Sequence, residues 1–293
     1  MQEGTVSVNR LGRIIMWILL AVLLVIGGVF VVVKVGKSRF NQMTQGEILA
    51  LFEASQPVEG VFSAENITHL PDPVQRYLIR SIPEGYPLIS SVTLQQEGTM
   101  RQSPEQSWSP FEAHQAFTIN PPAFVWAATM HMMPLVDVFV RDKYQDGHGE
   151  MSIVLEATFP IANGQGNTYD TGAFIRYMAE MIWFPTAMLQ DYIAWEAVDD
   201  RTAIAVATVA GQVVHLTFHF DDNDDIAYIE SHDRHMGDDA HTTAWYGYCH
   251  DYQRFDGVRI PTSIEVGWEP DSGYYTWWRG TITQIAYNPV LFN

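Results

Sequence analysis

The sequence is poor in two residue types that often indicate a function, cysteine and lysine. Cysteine occurs once in 293 residues, at Cys249, so the chain cannot form an intramolecular disulfide. After residue 39 the only lysine is Lys143, and residues 40–293 carry 11 Lys and Arg against 33 Asp and Glu, a net charge of −22. Because such an acidic domain repels phosphate, nucleic-acid binding is not expected of it.

The common catalytic motifs are also absent from the sequence. It contains no G-x-S-x-G, H-E-x-x-H, C-x-x-C, P-loop or G-x-G-x-x-G pattern, which removes the usual signatures of hydrolases, zinc proteases, redox proteins and nucleotide-binding proteins. A cysteine nucleophile could only be Cys249, and in a strand its neighbour His250 points to the opposite face. We therefore predict no catalytic residue and no cofactor.

Two histidine-containing segments are the candidates for a metal site. His215 and His219 are four residues apart, which in a strand places them on one face but about 13 Å apart, too far to share an ion. Residues 232–241 contain more ligand-type side chains, but they are equally typical of a polar loop between strands. No metal site is predicted, although the loop at residues 232–241 leaves the question open.

One long apolar run is present near the start of the chain. Residues 14–33 contain no charged or amide side chain, and as a helix they reach roughly 30 Å, the thickness of a bilayer's hydrocarbon core. The run is longer than the apolar region of a signal peptide and leads into basic residues. We predict a tail at residues 1–13 followed by an uncleaved transmembrane helix at residues 14–33, as in a single-pass protein of the cell membrane.

The charges on either side of the apolar run are nearly balanced. Arg10 and Arg13 precede it, whereas Lys34, Lys37 and Arg39 follow it, so the positive-inside rule gives little preference. A short cytoplasmic tail is the ordinary arrangement for such an anchor. The domain after the anchor is therefore expected outside the cytoplasm.

The residues after the apolar run change from helical to β-type patterns. A juxtamembrane helix is expected at residues 45–55, within a connecting segment at residues 34–64. A second helix is expected to begin at Pro71-Asp72-Pro73, since proline suits a first helical turn and an acid favours the helix dipole there. A third helix is expected at residues 171–183, where Pro185 stops it.

Strand patterns dominate from about Leu88 onward. Val214, Leu216, Phe218 and Phe220 alternate with less apolar neighbours, which is typical of a strand with one buried face. Turn signals recur every 10 to 15 residues in the second half and favour an antiparallel meander of nine to eleven strands. We predict a mainly β domain (α+β) at residues 65–293, with a curved meander sheet or open half-barrel covered by helices.

Several sequence blocks resemble a known family. They are residues 70–78 (LPDPVQRYL), 108–111 (WSPF), 121–126 (PPAFVW), 176–187 (RYMAEMIWFPTA) and 277–280 (WWRG). Read together, they resemble a family of bacterial proteins known only as a domain of unknown function, over roughly residues 65–287. The resemblance implies no activity, substrate or catalytic residue. The expected architecture is also similar, more distantly, to lipoprotein-carrier and related lipid-binding folds.

Large aromatic side chains near charges give the candidate ligand site. The predicted helices are too few to cover so wide a sheet, so its apolar face must curl on itself, meet a partner or bind a ligand. Arg176 and Glu180 stand at i,i+4, where they can form a structural pair or contact a ligand head group. The expected ligand-binding residues are Trp126, Arg176, Tyr177, Glu180, Met181, Trp183, Phe184, Trp278 and Arg279.

These observations favour a membrane-tethered domain that binds a lipid or another hydrophobic molecule in the cell envelope, held to the membrane by residues 14–33. One alternative is an enzyme acting on such a molecule, with Glu180 or a histidine such as His114 as acid or base. Another is a non-catalytic protein-interaction module with a filled core. The sequence predicts neither the identity of the ligand nor the oligomeric state.

Overall fold

A single helix leads from the apolar run into the folded domain. The computed structural model describes residues 4–134, 136–237 and 241–289, and for residues 4–11 it describes only the helical backbone. The first helix, α1, spans Gly4–Ala54. It contains a segment long and apolar enough to cross a membrane, with no part of that segment buried in the domain. The helix predicted at residues 45–55 is therefore the end of α1, because residues 34–54 contain no proline to stop it.

The second helix forms where its proline and aspartate predicted it. After a 3₁₀ turn at Ala64–Ile67, α2 spans Asp72–Ser81 with proline in its first turn and Asp72 at its positively polarised end. Val74, Tyr77 and Leu78 are completely buried. This apolar face of α2 joins the main hydrophobic core.

The described residues contain thirteen strands in one antiparallel sheet, ordered β6-β5-β4-β3-β2-β1-β13-β12-β11-β10-β9-β8-β7. The strands are β1 (Ser91–Met100), β2 (Ser109–Thr118), β3 (Ala123–Met133), β4 (Val136–Gln145), β5 (His148–Leu155), β6 (Phe159–Gln165), β7 (Ile193–Asp199), β8 (Thr202–Val209), β9 (Gln212–Phe220), β10 (Ile226–Ser231), β11 (Ala244–Phe255), β12 (Val258–Glu269) and β13 (Tyr275–Tyr287). The predicted number of strands was too low. The edge strand β6 shows why, since it is exposed along most of its length and contains Pro160, so it lacks the usual alternation.

The sheet curls around the third helix. α3 spans Asn167–Glu180, beginning earlier than predicted, and continues into 3₁₀ turns at Met181–Trp183 and Pro185–Leu189. It packs against both β5 and β9, which are far apart in the sheet order. At one edge of this curl the Gln212 side chain donates a hydrogen bond of 2.6 Å to the carbonyl of Gly147. The predicted fold class, a curved antiparallel sheet covered by helices, is confirmed.

The two faces of the sheet are covered by different helices. The inner face packs on α3 and α2 in one large hydrophobic core. On the outer face, Leu51 of α1 packs with Ala123 and Val125 of β3. Nearer the apolar run, the ring of Phe40 meets that of Phe139 edge-on at 5.2 Å. The C-terminal part of α1 is thus attached to the domain along much of a strand.

The course of α1 shows which end of the sheet lies nearest the apolar run. Gly36 packs against the turn between β5 and β6, and Lys37 pairs with Asp137 at the start of β4 at 2.8 Å. Further along, Glu47 lies 3.5 Å from Arg141, near the middle of the same strand. The strand β4 therefore runs beside α1 and away from the apolar run. We call the end of the sheet formed by the β3–β4 and β5–β6 turns the entry end.

The thiol of Cys249 gives a first test of this core. Cys249 is buried on β11, and burial raises the pKa of its thiol far above the usual range. Because the thiolate is the reactive form, we expect the native protein to react with iodoacetamide at least about 100-fold more slowly than the denatured protein. Mass spectrometry of samples alkylated with and without denaturant measures this ratio. Equal labelling rates would contradict the burial of Cys249.

Candidate functional site

A cluster of charged side chains is enclosed between α3 and the inner face of the sheet. Arg176 donates a hydrogen bond of 2.8 Å from Nε to Glu180 and one of 2.6 Å from Nη1 to Asp142. Glu180 also accepts a hydrogen bond of 2.7 Å from Gln115 on β2. The side chains of Arg176, Glu180 and Asp142 are 17%, 13% and 9% exposed. The pair expected at i,i+4 is present, and we call Asp142, Arg176 and Glu180 the charge cluster.

Burial shifts the protonation equilibria of the charge cluster. It raises the pKa of Glu180, an effect that Arg176 opposes without cancelling. Burial alone would lower the pKa of Arg176, but the two carboxylates outweigh it and raise that pKa. Arg176 therefore remains charged, and its charge is balanced locally by Asp142 and Glu180.

Aromatic side chains extend from the charge cluster along the inner face. The Arg176 guanidinium lies 4.8 Å from the ring of Trp126, which is 6.1 Å from Phe111. Phe111 in turn stacks on Trp278 with 5.5 Å between ring centroids. These rings, together with two further tryptophans on β11 and β12, form what we call the tryptophan cluster: Phe111, Trp126, Trp245, Trp268 and Trp278.

Two facing glycines make room for these rings. Gly98 on β1 pairs with Gly280 on β13. A Cβ at Gly280 would collide with the ring of Trp278, and a Cβ at Gly98 would collide with the backbone of Arg279 and with Phe111. The rings therefore lie flat against a stretch of sheet that has no side chains of its own.

A second arginine lies over the tryptophans of β11 and β12. The guanidinium carbon of Arg234 is 5.0 Å from the ring of Trp245 and 5.6 Å from that of Trp268. In the part of the chain that the structure describes, no carboxylate lies within ion-pair distance of Arg234, and its neighbour Asp233 pairs with His215. Burial lowers the pKa of Arg234 to about 10. The positive charge of Arg176 adds to this effect, and the more distant carboxylates of Asp142 and Glu180 oppose it.

Strand register places two rings of the tryptophan cluster, Phe111 and Trp278, towards the entry end of the sheet. Phe111 pairs with Met130, and the next residue of β3 pairs with Asp137, the partner of Lys37 in α1. Trp278 pairs with Met100 at the end of β1. These two rings thus lie towards the apolar run of α1, whereas Trp126 pairs with Asp142, nearer the other end of β4.

The structure separates the predicted ligand-binding residues into three groups. Four of them belong to the two clusters: Trp126, Arg176, Glu180 and Trp278. Four pack in the core with 2% exposure or less: Tyr177, Met181, Trp183 and Phe184. Arg279 lies on the outer face, 3.3 Å from Glu265 and over the ring of Trp108. The structure therefore brings Arg176 and Trp126 together but places Arg279 on the other side of the sheet.

Several residues of the site were not predicted from the sequence. Gln96, Gln115 and Asp142 are polar residues at buried, inward-facing positions of their strands, and this break in an apolar alternation was a usable signal. Gln96 accepts a hydrogen bond of 2.9 Å from the Trp126 indole. Arg234 lies in a loop, where no periodic pattern indicates which way it faces.

A separate cleft lies on the outer face, between α1 and the sheet. It has a volume of about 670 Å³, and its lining includes Phe40, Thr44 and Gln95 together with His114 and Glu112. Of the two candidate acid/base residues, His114 therefore lies on the outer face of β2, whereas Glu180 of α3 packs against the inner face. They do not share a site.

The two histidines considered as metal ligands, His215 and His219, have carboxylate partners. His215 lies 2.9 Å from Asp233, and His219 lies 3.3 Å from Glu230. Within the described ranges, no group of three or more His, Cys, Asp or Glu is placed to hold a metal ion. Residues 238–240 of the loop at residues 232–241 lie outside those ranges.

Comparisons with known proteins give one family match and distant structural likenesses. Residues 60–280 match the model of a family of unknown function, DUF6544, whereas a comparison with curated proteins found no match. Among solved structures, the chain is similar to a LolA superfamily protein from Nitrosomonas europaea, at 9% identity and a TM-score of 0.43, covering 78% of this chain and 96% of that one. A domain from Vibrio parahaemolyticus assigned to outer membrane lipoprotein sorting is 8% identical, with a TM-score of 0.39 and coverage of 69% and 87%. At these TM-scores the likenesses carry no argument about function.

Proposed function

The chain belongs to DUF6544, a family of unknown function, and we propose that it is a membrane-tethered domain that binds an amphipathic lipid with an anionic head group. The lipid's apolar part lies along the tryptophan cluster. Its head group lies between Arg234 and Arg176.

Arg234 is the observation that carries this proposal. Arg234 is only partly exposed, and a cation withdrawn from water is costly unless a negative group accompanies it. The described residues supply no carboxylate within ion-pair distance of Arg234. Asp142 and Glu180 are already engaged by Arg176. An anionic head group bound beside Arg234 supplies a negative charge that the described residues do not place there.

The aromatic rings suit the rest of such a ligand. Tryptophan and phenylalanine rings offer large apolar surfaces, and the indole N–H groups add polar contacts. The Trp245 indole N–H is buried, and none of the described residues accepts a hydrogen bond from it. A ligand lying here gains apolar contact along the rings and a donor near its head group.

The position of the site supports delivery of the ligand from a bilayer. An anion approaching through water meets a domain with a net charge of −22, which slows its approach. Phe111 and Trp278 lie towards the entry end, nearest the apolar run. We propose that residues 14–33 span the membrane, that the domain lies outside the cytoplasm in the cell envelope, and that lipid enters from the membrane side.

Photocrosslinking tests the role of Arg234. The full chain in phosphatidylcholine nanodiscs is exposed to a diazirine-labelled fatty acid or to the matching neutral fatty alcohol, and adducts are quantified by mass spectrometry. We expect saturable labelling by the acid, mapped to β11–β13. Arg234→Gln should weaken it by about 10-fold or more, because a hydrogen bond to a charged group is lost.

Arg279→Gln is the matched control, since it removes the same charge from the outer face. It should leave labelling by the acid unchanged. Equal labelling by acid and alcohol, or equal effects of the two substitutions, would refute the head-group assignment.

A further inference from the structure

Exposed apolar side chains are concentrated on the two turns of the entry end. Met132 and Met133, at the end of β3, are 46% and 63% exposed. Phe159 and Ile161, at the start of β6, are 56% and 58% exposed. Four large apolar side chains close together on a solvent-exposed surface indicate contact with an apolar partner.

The length of α1 fixes how far these turns stand from the apolar run. Gly36 packs directly against Ala157 and Thr158 of the β5–β6 turn, only three residues after Val33, where the run ends. Three residues of helix rise by about 4.5 Å. The polar layer of a bilayer is about 5–8 Å thick on each side of the hydrocarbon core. If the run spans the membrane, the turns therefore lie within the lipid head-group layer.

We propose that Met132, Met133 and Phe159 insert into the interfacial layer of the bilayer that α1 crosses, so that the domain rests on the membrane with its entry end against the lipid. This inference rests on the proposed membrane anchor, but it does not depend on a lipid being bound at Arg234. The partner is the lipid surface itself.

The charges beside the turns fit this position. Lys37 pairs with Asp137 at 2.8 Å and lies 3.7 Å from Glu156, and His131 also contacts Asp137 at 2.9 Å. The hydrogen bond to Asp137 raises the pKa of Lys37, so its charge is retained. The acids closest to the membrane are thus accompanied by the cation of Lys37, and the repulsion expected of so acidic a domain is reduced at this end.

The contact of the helix with the domain also restricts rotation. Phe40 packs on Phe139, and Glu47 lies 3.5 Å from Arg141 and 3.8 Å from Lys143. Because α1 is attached at several points beyond Gly36, the domain cannot swing freely about the end of the apolar run. The turns are held against the membrane rather than brought to it by chance.

Lipid-quenching measurements test this inference on the full chain. Single cysteines are placed at Met133, Phe159 and Val213 in a Cys249→Ala background, labelled with the fluorophore NBD, and incorporated into phosphatidylcholine vesicles with and without doxyl-labelled lipid. Val213 is the matched control, since it is 52% exposed. Its neighbour Gln212 contacts Gly147, in the turn that follows β4 at the end away from the membrane. We expect quenching at Met133→Cys and Phe159→Cys to be at least about twofold stronger than at Val213→Cys.

Three outcomes would overturn the inference. Quenching at Met133→Cys and Phe159→Cys no stronger than at Val213→Cys would show that the turns stay out of the lipid. The same result with protection from aqueous iodide would identify a second copy of the chain as the partner. A fourth probe, Val25→Cys, tests the membrane anchor itself. If this probe is not quenched, both the anchor and the contact of the turns with lipid are refuted. The crosslinking test of Arg234 does not depend on the result at Val25→Cys.

Discussion

Replacing Arg176 with methionine is expected to lower the free energy of unfolding by about 3–5 kcal/mol. The substitution leaves Asp142 and Glu180 enclosed without the cation that both of them contact. Methionine keeps much of the side-chain volume, so the loss reports charge rather than a cavity. The guanidinium's contact with the ring of Trp126 is lost as well.

Thermal unfolding of the full chain in nanodiscs, followed by tryptophan fluorescence, measures this loss. Arg279→Met is the control, because its partner Glu265 is more than a third exposed and such surface pairs contribute about 0–1 kcal/mol. Similar melting temperatures for the two variants would show that the charge cluster is hydrated and contributes little.

Replacing Trp183 with alanine is expected to cost about 3–5 kcal/mol, as for other large aromatic residues in cores. Trp183 is 2% exposed and lies in the 3₁₀ turn after α3. Tyr287 of β13 donates a hydrogen bond of 2.8 Å to its carbonyl, which ties the turn to the sheet. A cavity here would loosen both the end of α3 and its contact with the last strand.

The same variant separates core from ligand site. Trp108→Ala is the control, since Trp108 is partly exposed and contacts Arg101 and Arg279 at the surface. A small loss of stability in Trp183→Ala combined with a loss of lipid crosslinking would place Trp183 in the ligand site, as the sequence analysis proposed. A large loss of stability with crosslinking retained is the result that the observed packing predicts.

The elements that follow local rules were predictable from the sequence. The Pro-Asp-Pro start of α2 and the alternation at Val214 to Phe220 depend on neighbouring residues only, and the structure contains both elements. The start of α3 at Asn167 was missed because Gly166, with φ of +100°, precedes it in place of a conventional capping side chain. The continuity of α1 was missed because the change from apolar to amphipathic composition was interpreted as a break.

The candidate site was only partly predictable, because it depends on long-range register and on the curl of the sheet. Arg176 and Glu180 meet by helical spacing, but Asp142 comes from a strand and Arg234 from a loop. Trp278 and Arg279 are neighbours in one strand, and their separation onto opposite faces follows from the two-residue period. That rule was available from the sequence and argues against placing both residues in one site.

The most direct test of the account is native mass spectrometry, with lipid extraction, of the full chain purified from membranes. The account predicts one co-purifying amphipathic lipid with an anionic head group per chain, retained by Arg279→Gln and lost from Arg234→Gln. A parent protein that carries no lipid, or that carries neutral lipid in equal amounts in all three forms, would contradict it.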